Sequence, residues 1–302
     1  MALLQKKFLA EFNMIDWPEG LVSDLARRRA VVLIGAGVSR QSIGKNDVRP
    51  PLWREFLEKA ISDCPDKSNL KPIQDALASG DLLHACEWLK QRFDEKWTSY
   101  LRQIFSQPAF APAEIHNKIL LLDSRIIFSL NFDDIYERNA NSIHAGSYIV
   151  KNYHDSDATE FLRGSGNYIM KVHGSLHTAG QTIFTQKDYS RARVEHSAFY
   201  QAFDATLLTH TFLFIGSGYS DPDINLLLEN QNFSFPAQSP HYFLSGTKLG
   251  PDRVKSLRDN RNIKILDYDA IDDNHSGLLT ELDSLIEKVD AERFNLAAST
   301  NW

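Results

Sequence analysis

The sequence predicts an α/β protein: a doubly wound, mostly parallel six-stranded sheet with an inserted helical lobe. Three observations predict it. Six short segments are apolar on consecutive rather than alternate positions, the pattern of strands buried on both faces. Amphipathic helical patterns separate them. Roughly ninety residues of mostly helical pattern lie between the first and second of these strands, far more than a single crossover needs.

In chain order the strands are "AVVLIG" (30–35), "RIIFSL" (125–130), "YIMKVHG" (168–174), "TFLFIG" (211–216), "HYFLSG" (241–246) and "IKILDY" (263–268). In "LWREFLEKAISDC", Leu52, Trp53, Phe56, Leu57, Ala60 and Ile61 share one helical face. "HSAFYQAFDATLL" and "SGLLTELDSLIEKV" carry the same period. In "SDPDINLLLEN", Asp221 stands at an N-cap and Pro222 at the first helical position. The helical lobe is expected over 48–118, inside a main domain of 21–290, with an extension at 1–20 and a loose tail at 291–302.

The chain has 302 residues, 43% of them hydrophobic and 24% charged, a composition ordinary for a globular protein able to bury a substantial core. The net charge is −6 and the basic run Arg27-Arg28-Arg29 is short, so a broad nucleic-acid-binding surface is not expected. The two cysteines, Cys64 and Cys86, lie in apolar helical patterns and read as buried free thiols; no four-cysteine zinc site can be built from them. No apolar run reaches membrane-spanning length, and "MALLQKKFLAEF" lacks a signal-peptide core, so a cytoplasmic protein is expected.

Four polar turns follow candidate strands. "GAGVS" leaves the first strand. Its glycines permit positive φ and close backbone approach, and the helix after it would offer N–H groups and a positive dipole end to a diphosphate, with the Ser39 hydroxyl adding a contact. It lacks the third glycine of the common dinucleotide fingerprint. "GSGYSD" (216–221) repeats the arrangement after another strand, as expected of a ligand crevice at strand carboxyl ends. In "SLNFDD" (129–134), either Asn131 or Asp133 caps the following helix, or Asn131 bonds a ribose hydroxyl or an attacking water while Asp133 faces an amide of the ligand. In "KVHGSL" (171–176), His173 is placed to act as a general base or else bonds the backbone of its loop. A His173/His177 metal pair fits by spacing, but Gly174 opposes the helix that would align it.

The order Gly-Ala-Gly-Val-Ser, Asn-Phe-Asp, His-Gly, Gly-Ser-Gly resembles the sirtuin family over roughly residues 20 to 270. The resemblance implies a Rossmann-like fold and NAD⁺ as substrate. It places Gly35, Ala36, Gly37 and Ser39 at the diphosphate, and Gly216 and Ser217 on the adenosine side. Asn131 is placed at the nicotinamide ribose or water, Asp133 near the nicotinamide amide, and His173 as the base. Deacetylating sirtuins carry a four-cysteine zinc module soon after His-Gly; here that region reads "TAGQTIFTQKDYSRA", and no zinc is expected. "RQSIGKNDVRPPLWREFL" replaces the family's usual Gly-Ile-Pro-Asp-Phe-Arg. These departures look like the sirtuin-like branch of bacterial anti-phage defence, which implies hydrolysis of NAD⁺ to nicotinamide and ADP-ribose.

The leading expectation is therefore an NAD⁺ glycohydrolase that depletes NAD⁺ in abortive infection, gated by oligomerisation or a partner. Two alternatives stand beside it: an NAD-dependent protein deacylase or ADP-ribosyltransferase, and a non-catalytic module that binds NAD⁺ or ADP-ribose. A homo-oligomer and a HerA-like hexameric ATPase translocase are the partners the resemblance implies. "NMIDWPEG", Phe294 and Trp302 read first as packing onto the same domain and second as docking segments.

Overall fold

The computed structural model describes residues 14–219 and 221–299. Its strands are β1 (Ala30–Ile34), β2 (Ile126–Ser129), β3 (Tyr148–Asn152), β4 (Asn167–Lys171), β5 (Thr211–Ile215), β6 (His241–Ser245) and β7 (Ile263–Asp267). They form one seven-stranded sheet in the order β3-β4-β2-β1-β5-β6-β7. The pairs β3–β4, β4–β2, β5–β6 and β6–β7 run parallel. The helices, in chain order, begin with α1 (Glu19–Ala26), α2 (Ala36–Ser39), α3 (Trp53–Asp63), α4 (Lys71–Ser79), α5 (Leu82–Phe93) and α6 (Trp97–Phe105). They continue with α7 (Glu114–Leu121), α8 (Ile135–Ile143), α9 (Gln186–Glu195), α10 (Ser197–Thr209), α11 (Pro222–Ser234), α12 (Pro251–Arg261) and α13 (Ser276–Ser299).

The architecture is the expected Rossmann-like α/β class, with seven strands where six were expected. The added strand is β3, at one edge of the sheet. Its sequence, YIVKN, buries Tyr148 alone and leaves Val150 exposed. A strand half in water needs no continuous apolar run, so the pattern that reveals central strands passes over it. The contrast with β1 is direct: Ala30, Val31, Val32, Leu33 and Ile34 are all buried.

The chain divides into two compact units. One comprises Met1–Leu33, Glu114–Arg125 and Thr206–Trp302. There Ile15 and Trp17 are buried, and the Ile15 N–H donates to Glu281 of α13 at 3.1 and 3.2 Å. For these two residues of "NMIDWPEG" the packing reading holds. Asp221 caps α11 by accepting from Ile224 N–H at 2.9 Å, with Pro222 first in the helix, as the sequence predicts. Helix α13 continues to Ser299, so the segment expected as a loose tail is helical that far, with Phe294 exposed on it. Residues 1–13, which make up most of the expected extension, and Trp302 lie outside the described residues.

The other unit comprises Ile34–Ala113 and Ile126–Ala205. Its helices α3 to α6 enclose a core of Phe56, Leu57, Ile73, Cys86, Leu89, Trp97 and Leu101, joined by Leu176 and Phe184 from the chain after β4. Trp53 and Ile61 pack against this core as the helical face predicts, whereas Leu52 is exposed at the N-cap of α3. Cys64 and Cys86 are buried free thiols, and burial pushes the Cys86 thiol pKa up. Among the described residues no helix is long and apolar enough to cross a membrane.

Candidate functional site

The glycine turn starts where β1 ends. The Leu130 N–H, one residue past β2, donates to Ile34 O at 3.0 Å and ties the two strand ends together. Gly35 is the N-cap of α2, with φ −122°. That is extended backbone open to any residue, so positive φ is not what Gly35 supplies, contrary to expectation. The helix after it is a single turn of four residues. It offers first-turn N–H groups but little of the macrodipole expected of a full helix.

Asn131 lies one residue beyond Leu130 and is buried. Its Nδ2 donates to the Gly35 carbonyl at 3.0 Å and to Ser39 Oγ at 2.9 Å. A carbonyl only accepts, so the group facing it is the NH₂ and the amide orientation follows. Both amide hydrogens therefore hold the glycine turn against the end of β2. The Oδ1 acceptor is what Asn131 has left for a ligand. Asn131 is not a helix cap. Nor is Asp133: the N-cap of α8 is Asp134, whose carboxylate pairs with Arg138 at 2.9 Å, while Asp133 Oδ1, one residue earlier, accepts from Ile135 N–H at 3.1 Å in a turn leading into the helix.

Asp133 is also held from its backbone. Lys171, buried at the end of β4, donates Nζ to the Asp133 carbonyl at 2.6 Å and pairs with Glu137 of α8. Burial pushes the Glu137 carboxyl pKa above its ordinary value, Lys171 opposes that rise, and the nearby Asp133 adds to it. A buried lysine–glutamate pair is thus bonded to the backbone of the Asn-Phe-Asp segment.

His173 is two residues beyond Lys171. Ser129 pairs with Lys171 in the β2–β4 register, and Asn131 and His173 each stand two residues past that pair. The Val172 N–H donates to Ser129 O at 2.9 Å, so the chains are still bonded at this point. Gly174 follows at φ +77°, and a Cβ there would meet Gln181 O at 2.9 Å. This is a position that needs glycine. The turn it makes lets Leu176 N–H donate to Phe132 O at 3.1 Å and Ile183 N–H donate to His173 O at 3.0 Å. The Phe132 ring stacks on Phe184 at 4.0 Å and joins the Asn-Phe-Asp segment to the loop after His173. The His173 imidazole meets Tyr189 of α9, with Nε2 3.4 Å from the hydroxyl and the rings edge to face at 5.4 Å.

The two loops open on a cleft of about 510 Å³, lined by Arg102 and Gln107 at the end of α6, Phe132 and Asp134 after β2, and Leu176 and His177 after Gly174. His177 is exposed, with Nε2 3.8 Å from Asp134. Among the described residues no group of three His, Cys, Asp or Glu is placed to hold a metal ion.

Gly35, Ala36, Gly37, Ser39, Asn131, Asp133 and His173 all belong to the unit just described. Gly216 and Ser217 belong to the other. There Gly216 takes φ +63° at the end of β5, the left-handed conformation that favours glycine. Among the described residues, Ser217 Oγ is buried without a hydrogen-bond partner, a cost that a polar ligand atom would relieve. Sequence reasoning missed Lys171, Glu137 and Tyr189. A lysine inside an apolar strand pattern and a tyrosine at the fourth position of a capped helix carry no signal until the backbone brings them to their partners.

Residues 125–266 match the SIR2-like domain family. The chain is 25% identical over 146 residues to the NAD(+) hydrolase ThsA of Enterococcus faecium, covering 48% of this chain and 30% of that protein. It is 20% identical over 273 residues to the NAD(+) hydrolase ThsA of Cytobacillus dafuensis, covering 88% and 51%. It is 21% identical over 273 residues to the defense-associated sirtuin 2 of Bacillus subtilis, covering 87% and 25%. The chain thus spans between a quarter and about half the length of these relatives. The family match contains Asn131, Asp133, His173, Gly216 and Ser217, and begins beyond the glycine turn at 35–39.

Proposed function

We propose, from the premise that this chain carries a SIR2-like domain, that it hydrolyses NAD⁺ to nicotinamide and ADP-ribose. The observation that carries the reading is Asn131. One side chain joins the glycine turn to the strand end that lies in register with His173. The names of the relatives, NAD(+) hydrolase and defense-associated sirtuin, support the reaction and its setting in defence.

The chemistry asks little of the protein beyond placement. The nicotinamide–ribose bond breaks with its electron pair going to nicotinamide, and a water oxygen bonds to the ribose carbon. Asn131 Oδ1 would accept a hydrogen bond from that water or from a ribose hydroxyl. His173 would take the proton released, a contribution of ~10²–10⁴-fold. The first-turn N–H groups of 35–39 would face the diphosphate. In this reading Ser39 supports Asn131 by accepting from it, and its own hydroxyl hydrogen is what it would offer a phosphate. Asp133 would act through the turn it holds at Ile135 N–H, Gly216 and Ser217 would take the adenosine side, and residues 21–290 would form the catalytic domain. Unchecked NAD⁺ hydrolysis is toxic to a host, so the reading includes gating by self-association or by a HerA-like translocase.

The test is turnover of NAD⁺ by the purified chain, with nicotinamide and ADP-ribose quantified. His173→Ala and Asn131→Ala should each lower turnover by about a hundredfold or more, with thermal unfolding recorded because Asn131 also holds the glycine turn. NAD⁺ turnover that survives both substitutions in folded protein would move the chemistry elsewhere. Saturable binding without turnover would favour a binding module.

A further inference from the structure

Helix α9 begins with a cap that reaches well beyond the helix. Thr185 Oγ1 accepts from Asp188 N–H at 3.1 Å, and the Asp188 carboxylate accepts from Thr185 N–H at 3.1 Å and from Phe184 N–H at 3.3 Å. Lys90 of α5 closes on the same carboxylate at 2.9 and 3.1 Å. Asp188 is buried, and its carboxylate is held by these two backbone donors and Lys90, with Arg191 Nη2 3.9 Å away. The first turn of α9 is therefore fixed both to its own cap and to the helical lobe. Tyr189 is the next residue. It is buried, its ring stands edge-on to the His173 imidazole, and its hydroxyl is the group at Nε2.

We propose that Tyr189 is a positioning residue for His173: its hydroxyl bonds imidazole Nε2 and, held by the Thr185–Asp188–Lys90 anchor, sets the ring orientation and proton affinity of the base. This rests on the assignment of His173 as the base of NAD⁺ hydrolysis. At 3.4 Å the contact is at the long end of the hydrogen-bond range, as contacts at reactive centres often are. A phenylalanine would preserve the ring contact with His173 and remove the hydroxyl that reaches Nε2. Tyr189→Phe therefore separates the proposed role from simple core packing.

The experiment compares wild type with Tyr189→Phe by two readouts. The first is the pH dependence of NAD⁺ hydrolysis. The hydroxyl's loss should lower kcat about tenfold, a fraction of what a general base supplies, leave KM within about twofold, and move the His173-dependent limb by roughly half a pH unit or more. The second is the titration of the His173 ring by NMR in histidine-labelled full-length chain, assigned with His173→Ala; it should move by a similar amount. An unchanged profile with an unchanged titration would overturn the proposal, as would a fall in thermal stability with no shift in either. Should wild type not hydrolyse NAD⁺, the functional reading fails by itself. The titration still decides the contact: a shift on Tyr189→Phe upholds it, and no shift ends it.

Discussion

Asn131 shows how far a side-chain role can depend on what lies behind it. Its two N–H groups are committed to the chain, to Gly35 O and Ser39 Oγ. Removing it would take the amide donor from the buried Ser39 hydroxyl and one of two donors from Gly35 O, which keeps Val38 N–H at 3.0 Å, costing about 1–3 kcal/mol beyond any catalytic loss. Gly174 is constrained just as tightly by the backbone. Its φ of +77° and the 2.9 Å approach of Gln181 O to a would-be Cβ leave no room for a side chain. Gly174→Ala should cost roughly 1–3 kcal/mol of stability, read as a lower midpoint in urea. Under the proposed function it should lower NAD⁺ turnover as well, because His173, the base assigned there, is the residue before it. Stability and turnover both equal to wild type would show that the turn relaxes freely.

At the level of elements, the site stands on β2 and β4 because parallel neighbours in register end at the same height. Ser129 faces Lys171, and two further residues on each strand reach Asn131 and His173. The Lys171–Glu137 pair and the Lys171 bond to Asp133 O hold the chain just past the strands, where ladder hydrogen bonds stop. Phe132 and Phe184 do the same from the apolar side. Helix α9 contributes through its cap. Thr185→Ala removes the acceptor for Asp188 N–H, and should cost about 1 kcal/mol in equilibrium unfolding. A cost near zero would mean that the Asp188 carboxylate, through its two backbone donors and Lys90, sets the start of the helix without the threonine hydroxyl.

For the whole molecule, acid sensitivity follows from histidines folded in the neutral form. His241, buried in β6, accepts a hydrogen bond from Phe212 N–H of β5 at Nδ1, 3.1 Å away, so protonation there would break it. Burial holds its pKa down at about 4 against 6.5 in the unfolded chain. Burial likewise lowers the pKa of His154 and His210. Between pH 6.5 and 4 the unfolded state binds more protons, so the contribution is complete above 6.5 and drains away as pH falls toward 4. For His241 alone the loss is about 2 kcal/mol at pH 5. The thermal midpoint should therefore drop between pH 7.5 and 5, and His241→Gln, whose amide oxygen can replace the acceptor, should flatten the slope. A slope unaffected by that substitution would assign the sensitivity to other groups.

The sequence by itself determined the α/β class, the central strands, the capped start of α11 and the four polar turns. Each of these is a local matter: consecutive apolar residues, a proline after an aspartate, glycines at the end of an apolar run. It also singled out Asn131 and His173, because polar residues directly after buried strands are exceptions to the pattern around them. Edge strand β3 stayed hidden because a strand exposed along much of its length has no distinctive pattern. Only the tertiary structure decided that Gly216 and Gly174 use left-handed backbone while Gly35 does not, since φ is set by where the chain must go next. It alone turned the Asn131 amide toward the glycine turn, put Asp134 rather than Asn131 or Asp133 at the N-cap of α8, and brought Lys171, Glu137 and Tyr189 to the candidate site. Those are contacts between residues distant in sequence, and no local pattern records them.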